Sequence, residues 1–344
     1  MSDSPEPVNI ASHLPAMARQ QPDRQAVVFP HGHDKSGRVS YTHLTFRQLN
    51  EESDRIAAGL IDYGITRGMR TVLMVTPNLD FFALTFALFK IGAVPVMIDP
   101  GMGIRNLGTC LQEAEPEAFI GVPKAHLARC LFRWAQGTLK LLVTVGPKLF
   151  WGGKSLAAIQ RLAGTAHDFK MATTQEGEVA AILFTSGSTG VPKGVIYTHG
   201  IFDSQVKKLK EIYSIQPGEI DLPTFPLFAL FAPALGMTAI IPDMDATRPA
   251  DVDPRMIAEC IEEVEASTAA SAKTSHSRGS GPKAPNALAA STAVATAWAT
   301  PVATSSRLRS TWSASAPPYR PKTTRGTSST RPTRPTARLE PVSV

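Results

Sequence analysis

Short continuous apolar runs alternate, through the first half of the chain, with longer stretches whose apolar residues recur every three or four positions. In TFRQLNEESDRIAAGLIDYG (Thr45–Gly64), Leu49, Ile56 and Leu60 share one helical face and Gly64 supplies the stop, so the segment predicts an amphipathic helix. TVLMVT (Thr71–Thr76) predicts a buried strand, LDFFALTFALFKIG a helix and PVMID (Pro95–Asp99) a second strand. A helix near Arg105–Glu115, the strand AFIGV, a helix near Lys124–Trp134 and the strand KLLVTV (Lys140–Val145) follow. Strands that are apolar throughout, alternating with helices, predict an α/β fold with a parallel sheet covered on both faces. After a polar linker at Thr173–Glu178, VAAILF (Val179–Phe184) forms one more strand and leads into a glycine-rich segment.

Two apolar stretches are long enough to test against a bilayer. Phe81–Ile98 contains Lys90, Gly92 and Pro95, which divide it into helix, turn and strand. Leu222–Pro242 carries no charge, but Pro223, Pro226 and Pro233 would repeatedly break a spanning helix, so a buried segment is the expected outcome. The start, MSDSPEPVNI, lacks the basic end and apolar core of a signal peptide, and Cys110, Cys130 and Cys260 show no metal-binding or disulfide spacing. Both features point to a cytoplasmic protein without a transmembrane span.

Charge and composition change abruptly near Ala266. From Ser267 onward there are 11 Lys/Arg and one acid, Glu340, whereas the preceding residues hold 24 basic and 28 acidic side chains. The same tail has no Ile, Phe or Met, and its arginines are scattered among Pro, Thr and Ser. Such a segment buries too little apolar surface to offset its chain entropy and is expected to be disordered. Its composition is also what a shifted reading frame of GC-rich coding DNA gives after the amphipathic DVDPRMIAECIEEVE. Lacking clustered charge or interleaved aromatics, it is not read as a nucleic-acid-binding arm. The expected organisation is therefore residues 1–172, residues 173–265 and a basic tail over 266–344.

The chemistry is concentrated in LFTSGSTGVPKGV (Leu183–Val195). Successive backbone N–H groups of a glycine-rich turn make an anion-binding concavity, four hydroxyls add donors, and Lys193 adds a mobile cation. A Walker loop needs glycine before its lysine and a hydroxyl after it; here Pro192 and Gly194 flank Lys193, which excludes that class. GMGIRN (Gly101–Asn106) imitates a dinucleotide fingerprint but has Asn106 at the third glycine position and follows the wrong apolar element. The histidines of the body show no H-x-x-x-H spacing and no nearby carboxylate in sequence, so no metal or triad role is assigned to them; His199 alone lies near the loop.

TSGSTGVPKGV resembles the signature loop of adenylate-forming enzymes, the acyl- and aryl-CoA synthetases, luciferases and adenylation domains of peptide synthetases. LTFRQLNEESDRIAAGL, LFKIGAVPVMIDP and FPLFALFAPALG resemble further blocks of that superfamily in the same order, over roughly Asn9 to Val264. FPHGHDKSGRVSYTHLTFRQL, LIDPGMGIRNLG and PEAFIGVPKAHLARCLFRW are most similar to its olefin-biosynthesis β-lactone synthetase branch. The resemblance implies an incomplete N-terminal domain of the adenylate-forming fold. It also implies activation of a 2-alkyl-3-hydroxy fatty acid with ATP and Mg²⁺, and other olefin-biosynthesis enzymes as partners. Thr185, Ser186, Gly187, Ser188, Thr189, Gly190 and Lys193 carry over as the phosphate-binding residues, and Phe225, Phe228, Ala229 and Phe231 as an acyl-pocket wall. Many CoA-using relatives carry His where Ala229 stands, which counts against a thioester product.

Other blocks of the superfamily are not found: the Tyr-Gly-x-Thr-Glu block with its Mg²⁺-binding glutamate, the ribose-binding aspartate block, and the C-terminal domain with its lysine. No catalytic residue and no metal ligand is therefore assigned, and the 344-residue chain is expected to be inactive. A fatty acyl-CoA or acyl-AMP ligase fragment, and a non-catalytic half-domain that binds a partner, remain as alternatives.

Overall fold

The computed structural model describes residues 7–164, 169–185, 192–223, 229–245 and 251–262. The strands are β1 (Gln25–His33), β2 (Val39–Thr45), β3 (Arg70–Met74), β4 (Val94–Ile98), β5 (Ala118–Gly121), β6 (Leu141–Thr144), β7 (Lys154–Ser155), β8 (Val179–Thr185), β9 (Lys193–Thr198), β10 (Ile220–Asp221) and β11 (Thr238–Ile240). The helices are α1 (His13–Gln20), α2 (Phe46–Tyr63), α3 (Leu79–Ile91), α4 (Ile104–Ala114), α5 (Pro123–Leu131), α6 (Leu156–Leu162), α7 (His199–Tyr213) and the short α8 (Ala232–Leu235). Residues 254–262 are also helical. None of the described helices is long and apolar enough to cross a membrane.

A seven-stranded sheet of order β7-β6-β5-β3-β4-β8-β9 organises the molecule, parallel except where β9 folds back on β8. Its central strands β3, β4, β5 and β8 are mostly apolar because both of their faces are buried, whereas the edge strands β7 and β9 are partly exposed. Along β3 to β8, Val72, Val96, Phe119, Ile182 and Phe184 point to one face, which α4 covers with Leu107, Cys110 and Leu111 and α5 with Ala125. Leu73, Met97, Ile120, Val143 and Ala181 point to the other, where α2, α3 and α6 pack. This is the expected parallel layer with two covered faces.

Local chemistry sets the helix ends. Thr45 and Gln48 form a reciprocal capping box at the start of α2, and Gly64 ends it in the left-handed region at φ +108°. α3 is apolar on nearly every side, as suits a helix enclosed between α2 and the sheet. Its one cation, Lys90, is 1% exposed. The Lys90 ammonium donates to Asp54 Oδ1 at 2.6 Å, Ser53 Oγ at 2.8 Å and Asn50 Oδ1 at 2.9 Å, tying α3 to α2.

A second sheet of order β10-β11-β1-β2 is absent from the sequence expectations. β1 and β2 form an antiparallel pair, and β11 adds parallel to β1 with Val27 opposite Ala239 and Val28 opposite Ile240. β1 is buried only at Ala26–Val28 before its polar outer half, so it lacks the continuous apolar run that marks those central strands. The charge-free segment proves buried at Pro223 and at every residue from Ala229 to Pro242, with Leu222 half-buried.

Candidate phosphate-binding site

The glycine-rich segment joins β8 to β9. Phe184, 4% exposed, anchors the end of β8 among Val72, Val96 and Ile98, and pairs with Gly194 across the hairpin. A Cβ at Gly194 would stand 3.0 Å from Phe184 Cζ, so glycine lets β9 close over the ring. One pair further on, Thr185 faces Lys193. Their register holds the two ends of the loop together at the carboxyl edge of the parallel strands, where open α/β sheets bind ligands. Lys193 is exposed and makes no ion pair among the described residues. Of the other predicted phosphate-binding residues, Ser186, Gly187, Ser188, Thr189 and Gly190 lie outside the described residues.

β4 lies beside β8, with Ile98 opposite Phe184, so the turn after β4 adjoins the same edge. There Asp99 Oδ1 accepts the Gly101 N–H at 2.8 Å, and α4 leaves towards one face of the sheet. The chain after β3 instead enters α3 on the opposite face. Departure of successive connections to opposite faces leaves a crevice at the strand ends, the usual ligand position in such sheets.

Behind the hairpin, Thr198 caps α7 by accepting the Ile201 N–H at 3.2 Å. His199 follows, fully buried, with Nδ1 accepting the Ile10 N–H at 3.3 Å and Nε2 without a partner among the described residues. Burial pushes its pKa down to about 4, so the ring is neutral at pH 7. The Tyr197 ring stacks on Phe202 at 4.9 Å, and Phe231 lies 4.8 Å from Phe202 on its other contact. Phe231 and Ala229 are thus buried in the main core next to α7. Phe225 and Phe228 lie outside the described residues.

Sequence reading found no carboxylate partners for the histidines; the fold supplies two. His13 Nε2 donates to Asp203 Oδ1 at 2.9 Å, across 190 positions of sequence, and His33 lies 3.4 Å from Asp243. Burial holds the His13 pKa below its ordinary value despite the carboxylate, while Lys207 and His13 together outweigh burial and lower that of Asp203. The pair fastens α1 to α7. No local signal in the sequence could have revealed it. Among the described residues no group of three or more His, Cys, Asp or Glu could hold a metal ion.

The family model described as AMP-binding enzyme matches residues 14–324. The chain is 53% identical over 258 residues to the olefin beta-lactone synthetase of Stenotrophomonas maltophilia (strain K279a), covering 74% of this chain and 46% of that protein. It is 52% identical over 254 residues to the protein of the same name from Xanthomonas campestris pv. campestris, covering 74% and 45%. It therefore spans about half the length of these curated relatives. Among solved structures, the inhibitor-bound N-terminal domain of FACL13 from Mycobacterium tuberculosis superposes with a TM-score of 0.56 at 25% identity, covering 70% of this chain and 59% of that one. With a glycine-rich segment joining a parallel strand to an antiparallel one, and a family match over most of its length, the chain belongs to the AMP-binding enzymes.

Proposed function

We propose that this chain is the phosphate-loop portion of an ATP-dependent ligase that activates a 2-alkyl-3-hydroxy fatty acid and closes it to a β-lactone. The observation that carries the reading is the identity of about half of all positions with two olefin beta-lactone synthetases over the body of the chain. A carboxylate oxygen attacks the α-phosphorus of ATP, the bond to pyrophosphate breaks, and an acyl-adenylate forms. The 3-hydroxyl oxygen then attacks the activated carbonyl, its proton passes to a base, and AMP leaves.

The residues of this chain serve the first step. A carboxylate approaching a triphosphate meets strong repulsion, and charge grows on the leaving pyrophosphate, so donors and a cation must be fixed where that charge develops. Lys193, with Thr185 and the loop over Ser186–Gly190, supplies them in this reading. The exposed position of Lys193 opposite Thr185 fits an anionic ligand. Mg²⁺, when bound, would neutralise phosphate charge; the described residues hold no group of three or more His, Cys, Asp or Glu that could ligate it. Ala229 and Phe231 contribute to the apolar wall from within the core.

The reading also holds that the 344-residue chain does not adenylate by itself, because the Mg²⁺, ribose and C-terminal lysine blocks are not found in its sequence. Pyrophosphate release is measured with ATP and a 2-alkyl-3-hydroxy fatty acid, for this chain and for a form extended with those blocks. The extended form should release pyrophosphate and yield a β-lactone. Release by the 344-residue chain above a boiled control refutes its inactivity. Lactone replaced by a thioester when CoA is added refutes the branch.

A further inference from the structure

We infer that α5 and the loop over residues 146–153 form a docking face for an anionic lipid bilayer. From Ala118 to Gly164 the sequence contains seven Lys/Arg and no Asp or Glu, although the body as a whole has more acids than bases. Within this acid-free stretch lie five exposed large apolar side chains, Leu127, Leu131, Phe132, Leu149 and Phe150, with Leu131 70% and Phe150 76% exposed.

The structure brings the two segments together. α5 turns Ala125 and His126 inward, against Phe119 and β6, where His126 Nε2 donates to the Val143 carbonyl at 3.0 Å. Lys124, Leu127 and Leu131, at spacings of three and four, consequently share its outer stripe. Trp151 stacks flat on His126 at 5.3 Å with 5° between ring planes, and its indole N–H donates to Thr144 Oγ1 at 2.9 Å. This pins the loop beside α5 and leaves Phe150, edge-on to Trp151, projecting to solvent next to Leu149. Exposed cations adjoin the same segments: Lys124 opens the helical stripe, Arg133 follows Phe132, and Lys148 precedes Leu149. Neither Lys124 nor Arg133 is in an ion pair among the described residues, whereas Lys140 of the same stretch is paired with Glu117 at 2.7 Å.

Single exposed leucines need no explanation, but several in two adjoining segments do. Charge decides the occupant. Segments that carry cations and no carboxylate of their own, with Asp80 the acid that adjoins the loop at Gly146, complement a negatively charged headgroup layer, and leucine and phenylalanine side chains projecting from them reach the acyl boundary. A nucleic acid would call for aromatic platforms, and here the projecting residues are mostly aliphatic. The inference concerns attachment only and does not depend on which carboxylate the enzyme activates.

The test is co-sedimentation of the full 344-residue chain with phosphatidylcholine vesicles, with and without phosphatidylglycerol. Two variants are compared, Leu131→Ser/Phe150→Ser and Lys124→Glu/Arg133→Glu; all four side chains are on the outside, and the urea midpoint verifies that folding is retained. The parental chain should partition onto phosphatidylglycerol vesicles far better than onto phosphatidylcholine alone. The serine pair should lose at least about tenfold in partitioning, by the apolar area withdrawn from the interface. Each charge removed should cost roughly fivefold at low salt and less as salt screens the surface. Because the tail beyond Ser267 is itself basic, full retention of vesicle binding by the serine pair overturns the proposal and assigns attachment to the tail. A serine pair that changes self-association or capture of another protein but not vesicle binding overturns it in favour of a protein partner. Absence of parental binding to phosphatidylglycerol vesicles overturns it outright.

Discussion

Removing the ammonium of Lys90 while keeping its stem, as in Lys90→Met, should destabilise the fold more than any exposed substitution. Lys90 is 1% exposed, and three side-chain acceptors surround its nitrogen, with the Asn50 carbonyl a fourth at 3.1 Å. Burial lowers its pKa, and the Asp54 carboxylate and its hydrogen bond to the ammonium oppose that shift. Loss of one member of a buried ion pair strands the other and typically costs about 3–5 kcal/mol. Asp54 retains a quarter of its side-chain exposure and can recover some hydration, which places the expected cost near the lower end, about 3 kcal/mol. For a domain of this size that corresponds to a fall in Tm of roughly 6–12 °C. Lys90→Ala should cost more, since it also empties the space of the stem. The assay is urea denaturation of Lys90→Met, Asp54→Leu and the double variant. Because a buried ion pair replaced by apolar residues is often near neutral, the double variant should be clearly more stable than the sum of the two single losses predicts. Lys90→Met at parental stability, or strict additivity in the cycle, would refute the argument that this ammonium clamps α2 to α3.

Other outcomes follow from the same structure. His199 has a folded pKa of about 4 against 6.5 unfolded, so its contribution is complete above pH 6.5 and lost as pH falls towards 4, amounting to about 3 kcal/mol; His199→Asn should flatten the urea midpoint across that window, and an unchanged profile contradicts the assignment. Gly194→Ala places a methyl 3.0 Å from Phe184 Cζ and should cost about 1–3 kcal/mol, read as faster amide exchange in β9. Lys193→Ala should leave the urea midpoint unchanged, since Lys193 has no ion pair among the described residues. In an extended, active form it should lower adenylation turnover about tenfold to a hundredfold by removing a charge-assisted hydrogen bond. Turnover at the parental rate would reduce the loop to a hairpin connection. The loss should fall on turnover more than on ATP affinity, because the phosphate charge grows as the reaction proceeds.

What the sequence determined by itself was the layer that local rules govern. An apolar run long enough to be buried on both faces specifies a parallel strand wherever it ends up, so β3, β4, β5, β6 and β8 were legible without partners. The α2 helix was legible because its apolar spacing and Gly64 lie within its own residues. The glycine-rich segment stood out as a candidate anion loop because glycines, hydroxyls and a lysine must be contiguous to surround an anion. Tertiary structure decided everything that depends on distant pairing. β1 is buried over only three residues and becomes a strand because β2 and β11 satisfy its backbone groups, the latter from more than two hundred positions away. Lys90 looked like an interruption in an apolar helix until α2 brought Asp54, Ser53 and Asn50 to it. His13 and Asp203 have no relation along the chain and meet only where α1 packs on α7. Likewise, the segment carrying the projecting Phe150 was brought beside α5 only when Trp151 stacked on His126. Local periodicity records which faces are buried, whereas the identity of the burying partner is set by chain return through space, which no short window of sequence contains.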